Sequence, residues 1–178
     1  MLIYSWHPDH REEPAVDRLS RTNPRASVDR TVEWVDTDAS GHQHNSAVMR
    51  WVESAEAELF LRTLKLPDYF PSVPRIHQEI HFKAKLWFGQ RITATVGISK
   101  LGRTSMTYAF EIQGHPHDGF AGGLAAFGTV TVAHVPPGSA KAQPWPAAVV
   151  EAIAPAQPAG ADDHSRANSP RTAQTAGS

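Results

Sequence analysis

The residues best able to do chemistry stand in one short stretch, DTDASGHQHNS, residues 36–46. Asp38 lies seven residues before Asn45, where a helix is expected to open, and Gly41 falls between them. A helix amino terminus carries unpaired N–H groups and positive partial charge, which suit an oxyanion. A carboxylate on one side of a carbonyl and such N–H groups, near Asn45 and Ser46, on the other would give acyl chemistry its two requirements. These are an activated nucleophile and a stabilised oxyanion.

The same residues have plainer roles. Asp38 can hold a turn by accepting backbone N–H groups, as Asp often does. Asp36 reads as the structural partner that holds the loop. Asn45 or Ser46 can cap the helix, and Gly41 serves backbone geometry. His42 and His44 invite a metal reading through their H-x-H spacing, and so do His115 and His117. No third ligand can be assigned to either pair, so no metal site is expected. His42 and His44 read instead as lining a substrate entrance.

Several elements must position this stretch. Before it, Ser27–Val35 alternates as a short strand, with Val28, Val32 and Trp34 on one face. After it, Asn45 to about Leu64 runs without Gly or Pro. On a helical wheel Val48, Val52, Ala55 and Leu59 share one face, widened by Met49, Phe60 and Trp51. So broad an arc predicts a helix covered on most of its circumference. Glu53 and Glu56 fall inside the arc and read as structural, bonded to backbone or to Arg. Glu58 and Arg62 form an ordinary i,i+4 surface pair.

The rest alternates strongly. Ile76, Gln78, Ile80, Phe82, Ala84 and Leu86 share one face of a half-buried strand, and WFGQ turns the chain. Ile92, Ala94, Val96 and Ile98 point inward from Arg91–Ser99. Met106, Tyr108, Phe110 and Ile112 do so from Thr104–Gln113. Phe120–Val135 is a last strand rich in Ala, Gly, Thr and Val, whose small residues would let another subunit approach. Residues 145–153 predict a short helix with Pro146 in its first turn. One long helix wrapped by a curved antiparallel sheet of about five strands satisfies all these patterns. Its open edges predict a homodimer.

Composition narrows the classes. The chain has 178 residues, 17 Lys plus Arg against 18 Asp plus Glu, and no cysteine. A near-neutral chain without a basic block excludes the phosphate-neutralising mode of nucleic-acid binding. No apolar run approaches the ~18 residues of a membrane span. The amino terminus lacks the basic start and apolar core of a signal peptide, so a cytoplasmic protein is expected. Without cysteine there is no disulfide scaffold, thiolate metal site or cysteine nucleophile. Residues 154–178 hold no Val, Ile, Leu, Met, Phe, Trp or Tyr and read as a disordered tail. Residues 1–26 read as a loosely packed extension. The folded domain is expected over 27–153.

With these elements in place, the sequence resembles the hotdog-fold acyl-CoA thioesterases of the 4-hydroxybenzoyl-CoA thioesterase type. The likeness rests on VEWVDTDASGHQHNSAVMRWVESAEAELFLRTL, which matches a D-x-D-x-x-G loop followed by a helix reading like RWxExAE. It rests also on LWFGQRITATVGISKLGRTSMTYAFEI, with L-G-x-x-S before an aromatic-rich strand. It covers about Ser27 to Val135. The resemblance implies an α+β hotdog fold and hydrolysis of an acyl-CoA or acyl-carrier-protein thioester. Asp38 would be its nucleophile or general base. Asn45, where many relatives carry His or Tyr, would orient water or the thioester oxygen. Gly41, His42 and His44 would flank the substrate, and Lys100, Arg103 and Ser105 would contact CoA. It implies no metal or redox cofactor, and a homodimer or homotetramer with sites at the subunit interface. Two other readings stay open: a non-catalytic acyl-binding module, and a dehydratase or hydratase. The spacing of Asp38 to His42 or His44 does not reproduce the acid–histidine motif of the latter.

Overall fold

The computed structural model describes residues 23–154. Of the expected extension only its last four residues, and of the tail only Ala154, fall within that range. The strands are β1 (Arg25–Thr31), β2 (Arg75–Phe82), β3 (Arg91–Leu101), β4 (Ser105–Gly114) and β5 (Gly123–Ala133). They form one antiparallel sheet in the order β1-β3-β4-β5-β2. The inward residues of β3 and β4 are those their alternation predicts, and all eight are buried.

Helix α1 (Ala47–Ala57) packs against β1 and β3. Val48, Val52, Ala55 and Leu59 are fully buried, so the wide apolar arc is the packed face. The helix runs on through Glu58–Thr63 with a widened turn, in which Leu64 N–H donates to the Leu59 carbonyl at 2.9 Å. A short α2 (Ala147–Ile153) begins right after Pro146 and sinks Val149 and Ile153 into the same core. This is the hotdog arrangement, α+β, with one helix wrapped by the sheet.

Two expectations need correction. The first strand ends at Thr31, and Trp34–Asp36 forms a short 3₁₀ turn. Trp34 therefore leaves the strand face and is 78% exposed, and Val35 is exposed too. The second concerns β2, which is not half-buried along one face: Ile76 is 61% exposed and Phe82 is exposed as well. The cause is topological. β2 does not return beside β3 but crosses to the far edge, next to β5, whereas α1 covers the β1–β3 side.

β5 also explains the position of β2. Its small residues admit β2 of the same chain. A Cβ on Gly128 would fall 1.9 Å from the Glu79 carbonyl oxygen and 2.8 Å from the Phe110 ring. Gly128→Ala should therefore push β2 off the sheet edge and cost at least ~1–3 kcal/mol, the usual range for overpacking. Chemical denaturation measures the loss, and hydrogen exchange should place it in β2. Unchanged stability would refute the close approach.

Candidate active site

The loop between β1 and α1 carries the DTD motif. Asp36 is buried. Its carboxylate accepts the Glu33 N–H at 2.9 Å and pairs with Arg50 of α1, while its carbonyl accepts the His44 N–H at 2.6 Å. Asp36 thus ties both ends of the loop to the helix, as its structural reading predicts. Asp38 is exposed. Its carbonyl accepts the Gly41 N–H at 2.9 Å, closing a turn. Gly41 sits at φ +80°, with open space where a Cβ would be. Its backbone conformation, not crowding, requires glycine.

The Asp38 carboxylate accepts the Ser40 N–H at 2.8 Å and also the Ser40 hydroxyl. These hydrogen bonds, the hydroxyl first, hold its carboxyl below the usual value. The plain turn role of Asp38 is real, and it coexists with an ionised, solvent-facing carboxylate.

The helix start differs from expectation. Of the two capping candidates Ser46 occupies the position, but its side chain caps nothing. His44 takes over. Its Nδ1 accepts the Ser46 N–H at 3.1 Å and the Ser46 hydroxyl at 2.8 Å, and its carbonyl accepts the Ala47 N–H at 2.9 Å. The Ser46 N–H is therefore engaged. Asn45 lines an open cavity of about 340 Å³ together with His42, Gln43, Phe82, Lys83, Ala84 and Lys85. A neighbouring cavity of about 290 Å³ reaches deeper, past Leu86, Trp87, Gln90 and Phe120. Ala84 and Lys85 belong to both.

Sequence reasoning missed what holds that wall. The Gln43 side chain is buried between the two histidines. Its Oε1 accepts the Leu86 N–H at 2.6 Å, and the Gln43 backbone N–H donates to the Leu86 carbonyl at 2.8 Å. Gln90 works the same way, accepting the Trp87 N–H at 3.0 Å and donating to the His115 carbonyl at 2.7 Å. A glutamine in a loop carries no pattern that would announce this. Ser40 was missed too, although it sits midway between Asp38 and His42.

Lys100, Arg103 and Ser105 are not brought to this loop. Thr31, where β1 leaves for the loop, pairs with Arg91 at the start of β3. Lys100 lies at the other end of that strand, about 30 Å away at ~3.3 Å per residue. There the Arg103 carbonyl accepts the Trp145 N–H at 3.1 Å. The histidine pairs stay apart in role as well. His115 Nε2 lies 2.9 Å from the Thr93 hydroxyl, and His117 Nε2 donates to the Phe88 carbonyl at 3.1 Å. Among the described residues, no three His, Asp or Glu side chains converge on a metal position. No helix there is long and apolar enough to cross a membrane.

Residues 32–153 match the family described as the thioesterase-like superfamily. The chain belongs to that superfamily, and its class of activity is thioester hydrolysis on a hotdog fold. Among named relatives, the 1,4-dihydroxy-2-naphthoyl-CoA hydrolase of Prochlorococcus marinus (strain NATL2A) is 28% identical over 113 residues, covering 55% of this chain and 73% of that one. A predicted thioesterase from Bacillus stearothermophilus superimposes with a TM-score of 0.63 at 25% identity, over 72% of this chain and 93% of that one. The 4-hydroxybenzoyl-CoA thioesterase of Pseudomonas sp. strain CBS-3 shares the fold, with a TM-score of 0.65 at 16% identity, over 73% and 99% of the two chains.

Proposed function

We propose that this chain hydrolyses an acyl-CoA or acyl-carrier-protein thioester to free acid and thiol, with Asp38 as the base that activates water. The observation that carries this reading is the placement of Asp38. Its ionised carboxylate is exposed on the loop that enters α1. The Asp38 N–H donates to the carbonyl of His42 at 3.1 Å, and His42 and Asn45 of the same loop line a cavity. The thioester carbonyl sits between Asp38 and Asn45. The Asn45 backbone N–H receives the developing oxyanion, and its carboxamide orients the water. His44 fixes the helix start, and Gly41 shapes the turn. Water adds to the acyl carbon, Asp38 takes its proton, and collapse of the tetrahedral species expels the thiolate. No cofactor enters this balance.

The working unit is a homodimer joined along β2. That strand lies at one edge of the sheet, its ladder edge is unpaired among the described residues, and Ile76 and Phe82 are exposed on it. A second copy would cover both and protect the edge. A second copy is also the one way to bring Lys100, Arg103 and Ser105 near an Asp38 loop, where the two cations would suit CoA phosphates. At micromolar concentration, light scattering should give twice the 19.5 kDa chain mass, or a larger even multiple for a homotetramer. A fully active monomer would overturn the shared site.

Thiol release from a panel of aliphatic and aromatic acyl-CoAs, and from acyl-carrier proteins, tests the activity itself. Turnover on at least one member is expected. Binding without release would leave an acyl-binding module.

A further inference from the structure

Three side chains on the Asp38 loop, at alternate positions 38, 40 and 42, stand in a line at hydrogen-bonding distances. The Ser40 hydroxyl meets the Asp38 carboxylate on one side and His42 Nε2 at 2.9 Å on the other. At the far end of the ring, His42 Nδ1 lies 3.3 Å from the Gln43 carbonyl. A carbonyl only accepts, so in the neutral ring Nδ1 carries the hydrogen and Nε2 is bare. While Asp38 is ionised the one Ser40 hydroxyl hydrogen points to Asp38, and it can turn to Nε2 once Asp38 is protonated and donates to Ser40. The ring is also set edge-on against Trp87, with centroids 6.0 Å apart. We propose that Asp38, Ser40 and His42 form a proton wire, in which the proton taken from water at Asp38 is handed through the Ser40 hydroxyl to His42 Nε2.

This proposal rests on the reading of Asp38 as the base and extends it. The step balances. The water O–H bond breaks as its oxygen bonds to the acyl carbon, and the proton reaches Asp38. Ser40 gives its own hydroxyl proton to His42 Nε2 and recovers one from Asp38. The resulting imidazolium keeps both its N–H groups bonded, one to Ser40 and one to the Gln43 carbonyl. When the carbon–sulfur bond breaks, the proton returns to the thiolate.

The chemistry gives the wire a purpose. A carboxylate is ordinarily a weaker base than an imidazole by about 2.5 pKa units, and the hydrogen bonds from Ser40 weaken Asp38 further. A proton left on Asp38 would return to the tetrahedral species. Moved to an imidazole, it stays long enough for the thiolate to leave. The charged groups around His42 are Asp38 and His44 on its own loop, and Lys83 and Lys85 on the β2–β3 connection across the cavity. Ser40 and His42 act through Asp38 and are relay groups rather than catalytic residues.

The test uses the full chain with an acyl-CoA that it turns over, and pH profiles of kcat and kcat/KM. In wild type the pH profile should carry an inflection that depends on His42 and on its link through Ser40. Ser40→Ala and His42→Gln should each remove that inflection and lower kcat ~10- to 100-fold at neutral pH, with KM changed less than about twofold. Ser40→Thr, which keeps the hydroxyl, should restore the inflection. Thermal melts within a few degrees of wild type confirm that the loop survives. The wire is refuted if Ser40→Ala keeps the wild-type profile. It is refuted equally if Ser40→Ala and Ser40→Thr lose rate alike with the inflection intact, because Ser40 is then only a turn residue. Failure of the base assignment looks different: Asp38→Asn would itself retain turnover.

Discussion

Asp38→Asn should lower kcat by at least ~10²-fold, the range for removing a general base, and leave the fold in place. The two consequences separate because Asp38 does two things. As a turn residue it accepts the Ser40 N–H at 2.8 Å, and the Asn carboxamide oxygen can accept the same bond. As a base it needs its charge, which Asn lacks. Asp38 also touches no part of the core, so a melting temperature within a few degrees of wild type is expected. Steady-state kinetics with a good acyl-CoA substrate supply the check. A variant keeping more than half the wild-type rate would remove Asp38 from the chemistry.

The largest effect on stability should come from Arg75→Ala. Glu56 of α1 is 2% exposed and pairs with Arg75 at 2.5 Å, and Arg75 also meets Glu53 at 2.7 Å. Burial pushes the Glu56 carboxyl above the usual carboxylate range, and the neighbouring Tyr108 hydroxyl and Arg75 guanidinium pull the other way. Removing Arg75 strands a buried carboxylate. The expected cost is roughly 3 kcal/mol at neutral pH, the lower end for breaking a buried pair, since Arg75 is itself partly in water.

The pH dependence has a definite sign. A carboxyl whose folded pKa is raised gives its full stability below its unfolded value, near 4.5, and loses it as pH rises through the folded value. Arg75→Ala raises that folded value further. The deficit against wild type should therefore be small near pH 4.5 and grow toward neutrality. Urea denaturation at both pH values measures it. A deficit independent of pH would mean that Glu56 is not the group being stranded.

Most of the central sheet and helix was legible because each of those elements turns one apolar face to a common core. Ile92 through Ile112 alternate cleanly since β3 and β4 lie in the middle of the sheet. Val48, Val52, Ala55 and Leu59 repeat at helical spacing for the same reason. Alternation misled at β2, because Ile76, Ile80 and Phe82 show the same pattern whether their partner is this chain's core or another surface. The path of β2 to the far edge was not legible at all. Gly128 enforces it by contact with Glu79, two residues far apart in sequence.

The site followed the same division. Asp36 and Asp38 were visible as a motif, and the Glu56–Arg pairing followed from a carboxylate inside an apolar arc. The bonds from Gln43 and Gln90 to the cavity wall were not, since they join loops that only the folded chain brings together. The distance between Asp38 and the Lys100–Ser105 hairpin was hidden likewise, because spacing along the chain does not say which end of a sheet a turn occupies.

The origin of the new oxygen in the product tests the central claim most directly. With enzyme in excess over an acyl-CoA in ¹⁸O-water, a single turnover with Asp38 as base must place one ¹⁸O in the free acid and release one equivalent of thiol. Unlabelled acid from the first turnover, with the label appearing instead in the Asp38 carboxylate, would contradict water activation and make Asp38 the nucleophile. Absence of acid and thiol would contradict hydrolysis itself.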